Sequence, residues 1–442
     1  MSGNSVFIGL FIHSNSRLDF CIFNGYMWIK DGMITKRGST EEFHNLDNSG
    51  LFADAKIIRL TTSQLIIPGF VDCHVHAPQF PNIGLRLDLP LLEWLDKYTF
   101  PLEKQYSDVE FAAKVYDQVV KRLLKNGTTT ACYFGSLHLE GTLELAKSAT
   151  KYHQRALVGK VSMNLKNDTG YYNNADKEIA DTTEFVQKVL DNGNDLVQPI
   201  ITPRGAICCD EKLMTNLAAI SKKYGCRIQS HLCENLKEID YVLYLNPTCK
   251  TFAEVYDKCL LINDKCIMAH AVHMTDEETA LLASRGTAVA HCPASNTRLK
   301  SGLCPVRKLL DNNITVGLGT DVSGGDSASI LDALRRTMDV SMHLELAGSE
   351  GYAVDWKEAL YLATKGGAKA LGLEDKIGSF DVGKEFDALL IDVYAKDGPI
   401  DEYDFKLKEN NEDYATSLLQ RFIYLGDDRN IQQVYVKGKR VK

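Results

Sequence analysis

Short apolar runs alternate with longer amphipathic segments through the middle of the chain. The runs are rich in β-branched residues and predict buried strands, and the segments between them carry apolar residues at helical spacing. We expect eight strands, at Phe70–His76, Thr128–Phe134, Ala156–Val161, Val197–Ile201, Arg227–His231, Cys266–His270, Ala288–His291 and Ile314–Leu318. Their number and alternation predict an α/β fold, a (β/α)8 TIM-like barrel, although an open doubly wound sheet also fits the alternation.

Two of the helices between these strands have marked ends. Ser107 and Glu110 have the spacing of a capping box, and the helical apolar pattern that follows continues until Gly127. Thr275 opens a second helix in the same way, and that helix is expected to end near Gly286.

Both ends of the chain predict short strands and tight turns. Strands are expected at Val6–Ile12, Met27–Ile29, Met33–Thr35, Ala388–Val393 and Val434–Val436, with turns at Asp31-Gly32 and Lys437-Gly438. We therefore expect residues 1–67 and 377–442 to build one small β-sandwich beside a barrel of residues 68–376.

Composition narrows the class of protein. The chain has 442 residues, of which 45% are hydrophobic and 24% charged, as in soluble globular proteins. A net charge of -8 disfavours nucleic-acid binding, and no apolar run is long enough to span a membrane. The N-terminal segment lacks the features of a secretory leader, and the twelve scattered cysteines resemble reduced thiols. These features predict a cytoplasmic protein.

Candidate metal ligands lie at the ends of four predicted strands. His74 and His76 are two residues apart, so they point to the same face of their strand. His231, His270 and Asp321 end or closely follow the fifth, sixth and eighth strands. Because a barrel brings the carboxyl ends of its strands to one rim, these side chains are expected to meet there. Imidazoles and a carboxylate suit zinc or a related divalent ion.

Glu234 is a candidate proton shuttle, because it follows His231 by three residues and can reach over the metal; a solvated loop carboxylate is the alternative. Asp321 can accept a proton from a water molecule as well as bind the metal. His270 either ligates the metal or hydrogen-bonds the hydroxide. The other histidines are expected to be structural, with His273 and His291 nearer the site and His13, His44, His138, His153 and His343 further away.

The motifs taken together resemble a known family. The run from Pro68 to His76, Ser230-His231 with Glu234, His270 and Gly319-Thr320-Asp321 are similar to the mononuclear aminohydrolase branch of the amidohydrolase superfamily. Further motifs narrow the resemblance to the guanine deaminase family, namely His76-Ala77-Pro78-Gln79, Asp88-Leu89-Pro90-Leu91-Leu92-Glu93-Trp94-Leu95, Thr202-Pro203-Arg204 and Leu425-Gly426-Asp427-Asp428-Arg429-Asn430.

This resemblance implies a zinc-dependent hydrolase that deaminates guanine, a cyclic amidine, to xanthine and ammonia. It implies one Zn²⁺ per chain, with Fe²⁺ as the alternative, held by His74, His76, His231, His270 and Asp321. The implied catalytic residues are Glu234, Asp321 and His270. The implied substrate-binding residues are His76, Ala77, Pro78, Gln79, Arg204, Gly205, His231, Glu234 and Asp321. The family also implies a homodimer, and the charge and hydropathy of the chain predict no nucleic-acid or membrane partner.

One departure from the family keeps other functions open. Gly205 stands where the family usually has a Phe that packs on the base. The alternatives are an aminohydrolase for another purine or a pyrimidine-like heterocycle, a dinuclear ring-opening enzyme, and a non-catalytic scaffold. A dinuclear enzyme would want a bridging lysine on the fourth strand, for which Lys160 on the third is a poor substitute.

Overall fold

Nine of the seventeen strands in the described residues form a parallel sheet that curves into a barrel. The computed structural model describes residues 3–349, 351–403 and 411–442, so Met1 and Ser2 of the N-terminal segment lie outside the described residues. The strands are β1 Ser5–Ser14, β2 Phe20–Lys30, β3 Met33–Ser39, β4 Lys56–Arg59, β5 Gln64–Pro68, β6 Phe70–His76, β7 Thr128–Phe134, β8 Arg155–Gly159, β9 Val161–Ser162, β10 Val197–Pro203, β11 Arg227–Leu232, β12 Cys266–His270, β13 Ala288–His291, β14 Val316–Leu318, β15 Ala388–Asp392, β16 Ile431–Val436 and β17 Lys439–Arg440.

The barrel strands follow one another in chain order. They run from β6 through β7, β8, β10, β11, β12 and β13 to β14, with β9 continuing the third strand beside β10. All of their pairings are parallel. This order confirms the (β/α)8 prediction, because a doubly wound sheet would reverse its strand order at a switch point.

Hydrogen bonds near the carboxyl ends join the first strand of the barrel to the segment after the eighth. The backbone N–H of Asp321 donates to the carbonyl of His74 at 2.8 Å, and that of His76 donates to the carbonyl of Val322 at 3.0 Å. The buried carboxylate of Asp72 accepts from the backbone N–H of Thr320 at 3.1 Å and from its hydroxyl at 2.6 Å. These contacts bring the two candidate histidines of β6 beside Asp321.

Sixteen α-helices in the described residues connect the strands, and most of them cover the barrel. They are α1 Thr40–Asn48, α2 Leu91–Trp94, α3 Phe100–Glu103, α4 Val109–Lys125, α5 Leu139–Lys151, α6 Ala175–Asp191, α7 Glu211–Tyr224, α8 Leu236–Leu245, α9 Phe252–Lys258, α10 Asp276–Arg285, α11 Pro293–Arg298, α12 Val306–Asp311, α13 Ile330–Leu346, α14 Trp356–Tyr361, α15 Gly367–Ala370 and α16 Asn411–Leu425. None of the described helices is long and apolar enough to cross a membrane.

One of the two predicted helix starts is displaced by a residue. The side chain of Asp108, not Ser107, caps α4 by accepting from the backbone N–H groups of Glu110 and Phe111. The carboxylate accepts two of the free N–H groups, and it also suits the positive end of the helix dipole. The second prediction is confirmed, since Thr275 and Glu278 form a capping box and Gly286 ends α10 with a φ of 71°.

The two ends of the chain meet in a second sheet, as expected. Its strand order is β17-β16-β15-β5-β1-β2-β3, with β4 paired to β1, and the eight strands are connected in one sheet. The hairpin turn between β2 and β3 has positive φ at both Asp31 and Gly32, and that between β16 and β17 has positive φ at Lys437 and Gly438.

A buried ion-pair group joins this sheet to the barrel. Arg155, the first residue of β8, donates to Asp387 at 3.1 Å from two nitrogens and to Glu385 at 2.5 Å. The backbone N–H of Gly69, which separates β5 from β6, donates to the carbonyl of Asp387 at 3.0 Å. The sheet therefore holds the start of β6, the strand that carries His74 and His76.

Candidate active site

Four imidazoles and one carboxylate converge at the carboxyl ends of β6, β11, β12 and β14. The Nε2 atoms of His76 and His231 lie 3.1 Å apart. Oδ1 of Asp321 lies 3.2 Å from Nε2 of His74 and 3.5 Å from Nε2 of His76. Nε2 of His270 lies 3.8 Å from Oδ2 of Asp321. The structure thus brings together every residue that the sequence predicts as a ligand, while their ligand role stays a prediction.

The donor set fits a divalent metal ion. Among the described residues, Nε2 of buried His74 has no hydrogen-bond partner. His231 Nδ1 lies 2.5 Å from the carbonyl of Arg204, so Nδ1 carries the proton and Nε2 is free to bind a metal. His270 Nδ1 lies 2.8 Å from Oδ1 of Asn296, which orients that ring in the same way. Three or more imidazole nitrogens together with one carboxylate oxygen form a donor set that suits zinc or ferrous iron.

The protonation states fit the same role. Burial lowers the pKa of His76 and of His231 well below the ordinary value, so both rings are neutral and able to ligate. Burial by itself would raise the pKa of Asp321, but the neighbouring His74, His270 and His76 together outweigh this effect and hold the pKa below its usual range. The carboxylate is therefore ionised beside the imidazoles.

Backbone conformation aims several of these side chains. His270, Ala271 and Asp321 have left-handed φ angles of 76°, 52° and 46°, and Cys233, next to Glu234, has 50°. Such angles cost free energy in residues with a β-carbon and cluster at functional sites. Here they turn the chain sharply at the ends of β11, β12 and β14, where the candidate ligands leave the barrel.

Glu234 lies beside the cluster and inside the same pocket. Its Oε2 is 3.5 Å from Nε2 of His270, and the hydroxyl of Ser301 donates to its Oε1 at 3.2 Å. Burial, helped by the charge of Asp321, raises the pKa of Glu234 to about 8. A carboxyl group with a raised pKa is suited to donate a proton to a bound molecule near neutral pH.

The pocket has a polar side and an apolar side. Gln79 and Arg204 contribute polar groups, and Gly205 lines the pocket beside them. The apolar side is formed by Leu91, Trp94, Leu95, Ile207 and Leu299, and Cys208 and Glu238 also line the pocket. Three of the five apolar residues come from the Leu-Pro-Leu-Leu-Glu-Trp-Leu block. A flat heterocycle with polar edges suits such a pocket.

Some predicted site residues lie elsewhere. Ala77 and Pro78 are buried in the 3-10 helix Ala77–Asn82 that carries Gln79, and neither is among the described residues that line the pocket. Nε2 of His273 donates to the carbonyl oxygen of Ser301 at 2.6 Å and so supports the serine that contacts Glu234. His291 is fully buried and lines no part of the pocket formed by the described residues.

Four residues that shape the site carried no assigned role in the sequence. The ring of Phe134 packs on His74, His76 and His231 at centroid distances of 4.7, 4.5 and 4.9 Å. The others are Asp72, Asn296 and Glu103, which position neighbouring groups by hydrogen bonds. Asp72 stands inside the run from Pro68 to His76, which carries part of the family resemblance. Nothing near Glu103 in the sequence indicates its role, because Gln79, with which it forms a hydrogen bond, lies 24 residues away.

Comparison with known proteins decides the family. A sequence model of the amidohydrolase family matches residues 65–441. The chain belongs to the amidohydrolase family. Within this family it is 44% identical to the guanine deaminase of Mus musculus, over 99% of this chain and 96% of that protein.

Solved structures of the family agree with the fold. The crystal structure of a guanine deaminase from C. acetobutylicum with bound guanine in the active site is 37% identical and has a TM-score of 0.89, covering 99% of this chain and 100% of that one. The E. coli guanine deaminase is 31% identical with a TM-score of 0.87, covering 99% of both chains. This amidohydrolase therefore shares its architecture along its whole length with these relatives.

Proposed function

We propose that the chain is a metal-dependent guanine deaminase that converts guanine and water to xanthine and ammonia. The observation that carries this proposal is the single pocket in which the imidazole and carboxylate cluster, Glu234, Gln79 and Arg204 all meet. The relatives reported above bear the name guanine deaminase, and one of them holds guanine in its active site.

The cluster of imidazoles and Asp321 would bind the metal ion and activate water. His74, His76, His231, His270 and Asp321 would hold one divalent ion, which we propose to be zinc, with ferrous iron as the alternative. When bound, such an ion lowers the pKa of water and supplies a hydroxide nucleophile at neutral pH. Asp321 accepts a proton from the water that attacks C2 of guanine. His270, whose ring Asn296 orients, has only Nε2 left, so it either completes the ligand set or hydrogen-bonds that water.

Glu234 supplies the acid. As the oxygen adds to C2, Glu234 protonates the adjacent ring nitrogen. Asp321 then passes the proton that it took from the water to the amino group, and the bond from C2 to that group breaks to release ammonia. Glu234 takes back the proton of the C2 hydroxyl, so that the carbonyl of xanthine forms. Gln79 and Arg204 hold the base, since the guanidinium suits the purine oxygen and the amide offers both a donor and an acceptor. Ala77 and Pro78 contribute to binding by fixing the helix that presents Gln79.

The three alternative functions differ in their support. The space at Gly205 favours a second candidate, an aminohydrolase for a different purine, because the nearest described atom to a β-carbon placed there would be Cγ1 of Ile207 at 3.9 Å. A non-catalytic scaffold has no such support, since the donor set and Glu234 are all present. A dinuclear site is disfavoured because Lys160 is buried and bonded to Glu178 at 2.7 Å.

An ultraviolet assay tests the proposal. Purified protein loaded with zinc is expected to convert guanine to xanthine faster than it deaminates adenine, cytosine or 8-oxoguanine. Absence of xanthine would contradict the proposal, and a preference for 8-oxoguanine would favour the second candidate.

We also propose a cytosolic homodimer. All twelve cysteines are free thiols, which suits a reducing compartment. The resemblance to guanine deaminases favours the dimer. Light scattering on the protein as it leaves a size-exclusion column measures its molar mass, which is expected to be twice that of one chain.

A further inference from the structure

Glu103 is a buried carboxylate behind the polar side of the pocket that the proposed chemistry does not use. It ends α3 and is fully buried. Its two oxygens accept from Arg204, with Nη1 to Oε2 at 2.5 Å and Nη2 to Oε1 at 3.0 Å. Oε1 also accepts from Nε2 of Gln79 at 3.0 Å. One carboxylate therefore holds both of the residues that are proposed to bind the base.

These bonds fix the direction of the Gln79 amide. The backbone N–H of Ser323 donates to Oε1 of Gln79 at 3.2 Å, while the amide nitrogen donates to Glu103. A flipped amide would set its oxygen against the carboxylate and its NH2 against the N–H of Ser323. The amide is thus held in one orientation, which leaves one N–H and one lone pair for a ligand.

Glu103 also sets the charge and the direction of Arg204. The guanidinium is buried, with its charge centre 4.8 Å from the ring centroid of Phe100, and the carboxylate neutralises it. Two of its five N–H groups are used by Glu103, so the guanidinium plane cannot turn freely and the remaining donors keep a fixed direction. The charges of Glu103 and Arg204 therefore cancel on this side of the pocket, which suits an uncharged base.

We infer that Glu103 is a positioning residue that determines base selectivity by orienting Arg204 and Gln79. It does not line the pocket formed by the described residues, so it acts through these two side chains. The inference rests on the proposed function and extends it. Oriented donors favour a base with a carbonyl oxygen on C6, such as guanine, over one with an amine at that position, such as 2,6-diaminopurine.

The test compares Glu103→Gln with a matched control, Glu178→Gln. Glu178 is equally buried and pairs with Lys160 at 2.7 Å, away from the pocket. Glu103→Gln is expected to raise KM for guanine about tenfold or more, as the loss of a charge-assisted hydrogen bond would, with a smaller change in kcat. The ratio between the inhibition constant of 2,6-diaminopurine and KM for guanine is expected to fall. Glu178→Gln is expected to lower Tm while KM and this ratio stay unchanged.

A second variant covers the case in which Glu103→Gln does not fold. Glu103→Asp keeps the charge but withdraws the carboxylate, so a smaller rise in KM and a smaller fall in the ratio are expected. Unchanged KM and ratio in a folded, metal-loaded Glu103 variant overturn the inference, as do equal changes in Glu178→Gln. Loss of the folded protein in both Glu103 variants assigns the residue to stability alone and also overturns it.

Calorimetric titration with guanine separates this inference from the proposed function. If the wild-type protein binds guanine but forms no xanthine, the proposed function fails, and weaker binding by Glu103→Gln still supports the inference. If the wild-type protein forms xanthine and both proteins bind guanine equally, only the inference fails. A wild-type protein that does not bind guanine contradicts both.

Discussion

The Nε2 atoms of His76 and His231 point at each other across 3.1 Å. His231 carries its ring proton on Nδ1, toward the carbonyl of Arg204, so its Nε2 presents a lone pair. Burial keeps both rings neutral by lowering their pKa values. Two such nitrogens with Asp321 nearby form a site that a cation stabilises, which gives the first prediction.

Removal of the metal is expected to abolish deamination and to lower Tm, because the ion binds only the folded arrangement of ligands. Elemental analysis of the purified protein should give about one zinc or iron per chain. Treatment with a chelator, followed by zinc and by ferrous iron in separate samples, shows which ion restores activity. A chelated protein with full activity and unchanged Tm would contradict the metal site.

Asn296→Ala is expected to weaken metal affinity about 10- to 100-fold, because the amide oxygen that orients the ring of His270 is lost. Competition with a chromogenic chelator measures the affinity. Asn246→Ala is a control, since Asn246 bonds to the carbonyl of Val242 in α8 and lines no part of the pocket in the described chain. Equal metal affinities in the two variants would contradict the role of Asn296 in orienting His270.

Glu234→Gln is expected to lower kcat about 10²- to 10⁴-fold, the usual contribution of a general acid, with metal content unchanged. The amide has nearly the same shape and can accept the hydrogen bond of Ser301, but it cannot donate a proton to the ring nitrogen in the way that the acid does. Retained turnover in the metal-loaded variant would exclude this role for Glu234.

Gly205→Phe is expected to fold normally and to lower KM for guanine roughly fivefold, since an aromatic contact contributes about 1 kcal/mol. The space beside Gly205 accepts a β-carbon, with Ile207 at an ordinary contact distance of 3.9 Å. Gly205→Ala is the control, because it changes the backbone freedom without adding a ring. If Gly205→Phe raises KM for guanine and Gly205→Ala does not, the space beside Gly205 would instead accommodate a larger substrate.

Lys160→Met is expected to destabilise the protein by about 3–5 kcal/mol, because Glu178 would keep a buried charge without its cation. Urea unfolding measures this cost, and a second change, Glu178→Leu, is expected to recover most of it. Metal content per chain should stay the same. A drop in bound metal would instead support the dinuclear alternative.

The sequence predicts the barrel well because its strands are local in pattern. Phe70–His76 and Thr128–Phe134 match the observed bounds, since each is a β-branched or aromatic run between clear breaks. The start of α4 was less predictable, because both Ser107 and Asp108 are able to cap a helix and only the backbone direction decides between them.

Site residues could be predicted from the sequence only where they lie at the carboxyl end of a strand or within a motif. The ligand candidates follow strands, so one geometric rule places them together. Glu103 follows no such rule, because it lies in α3, between β6 and α4, and its contacts with Gln79 and Arg204 join residues that are distant in sequence. The strained turn at His270 was likewise invisible, since nothing in its sequence neighbours requires a φ of 76°.

The pairing of β5 with β15 bears on how the protein is made on the ribosome. Leu65 to Pro68 pair with residues 388–391, so an edge of β5 stays unpaired until more than 300 further residues have been synthesised. Unpaired strand edges are sites of aggregation, and contacts so distant in sequence form slowly. A nascent chain halted before β15 would therefore carry a complete barrel sequence and an open sheet edge, which is the state a chaperone would be expected to protect.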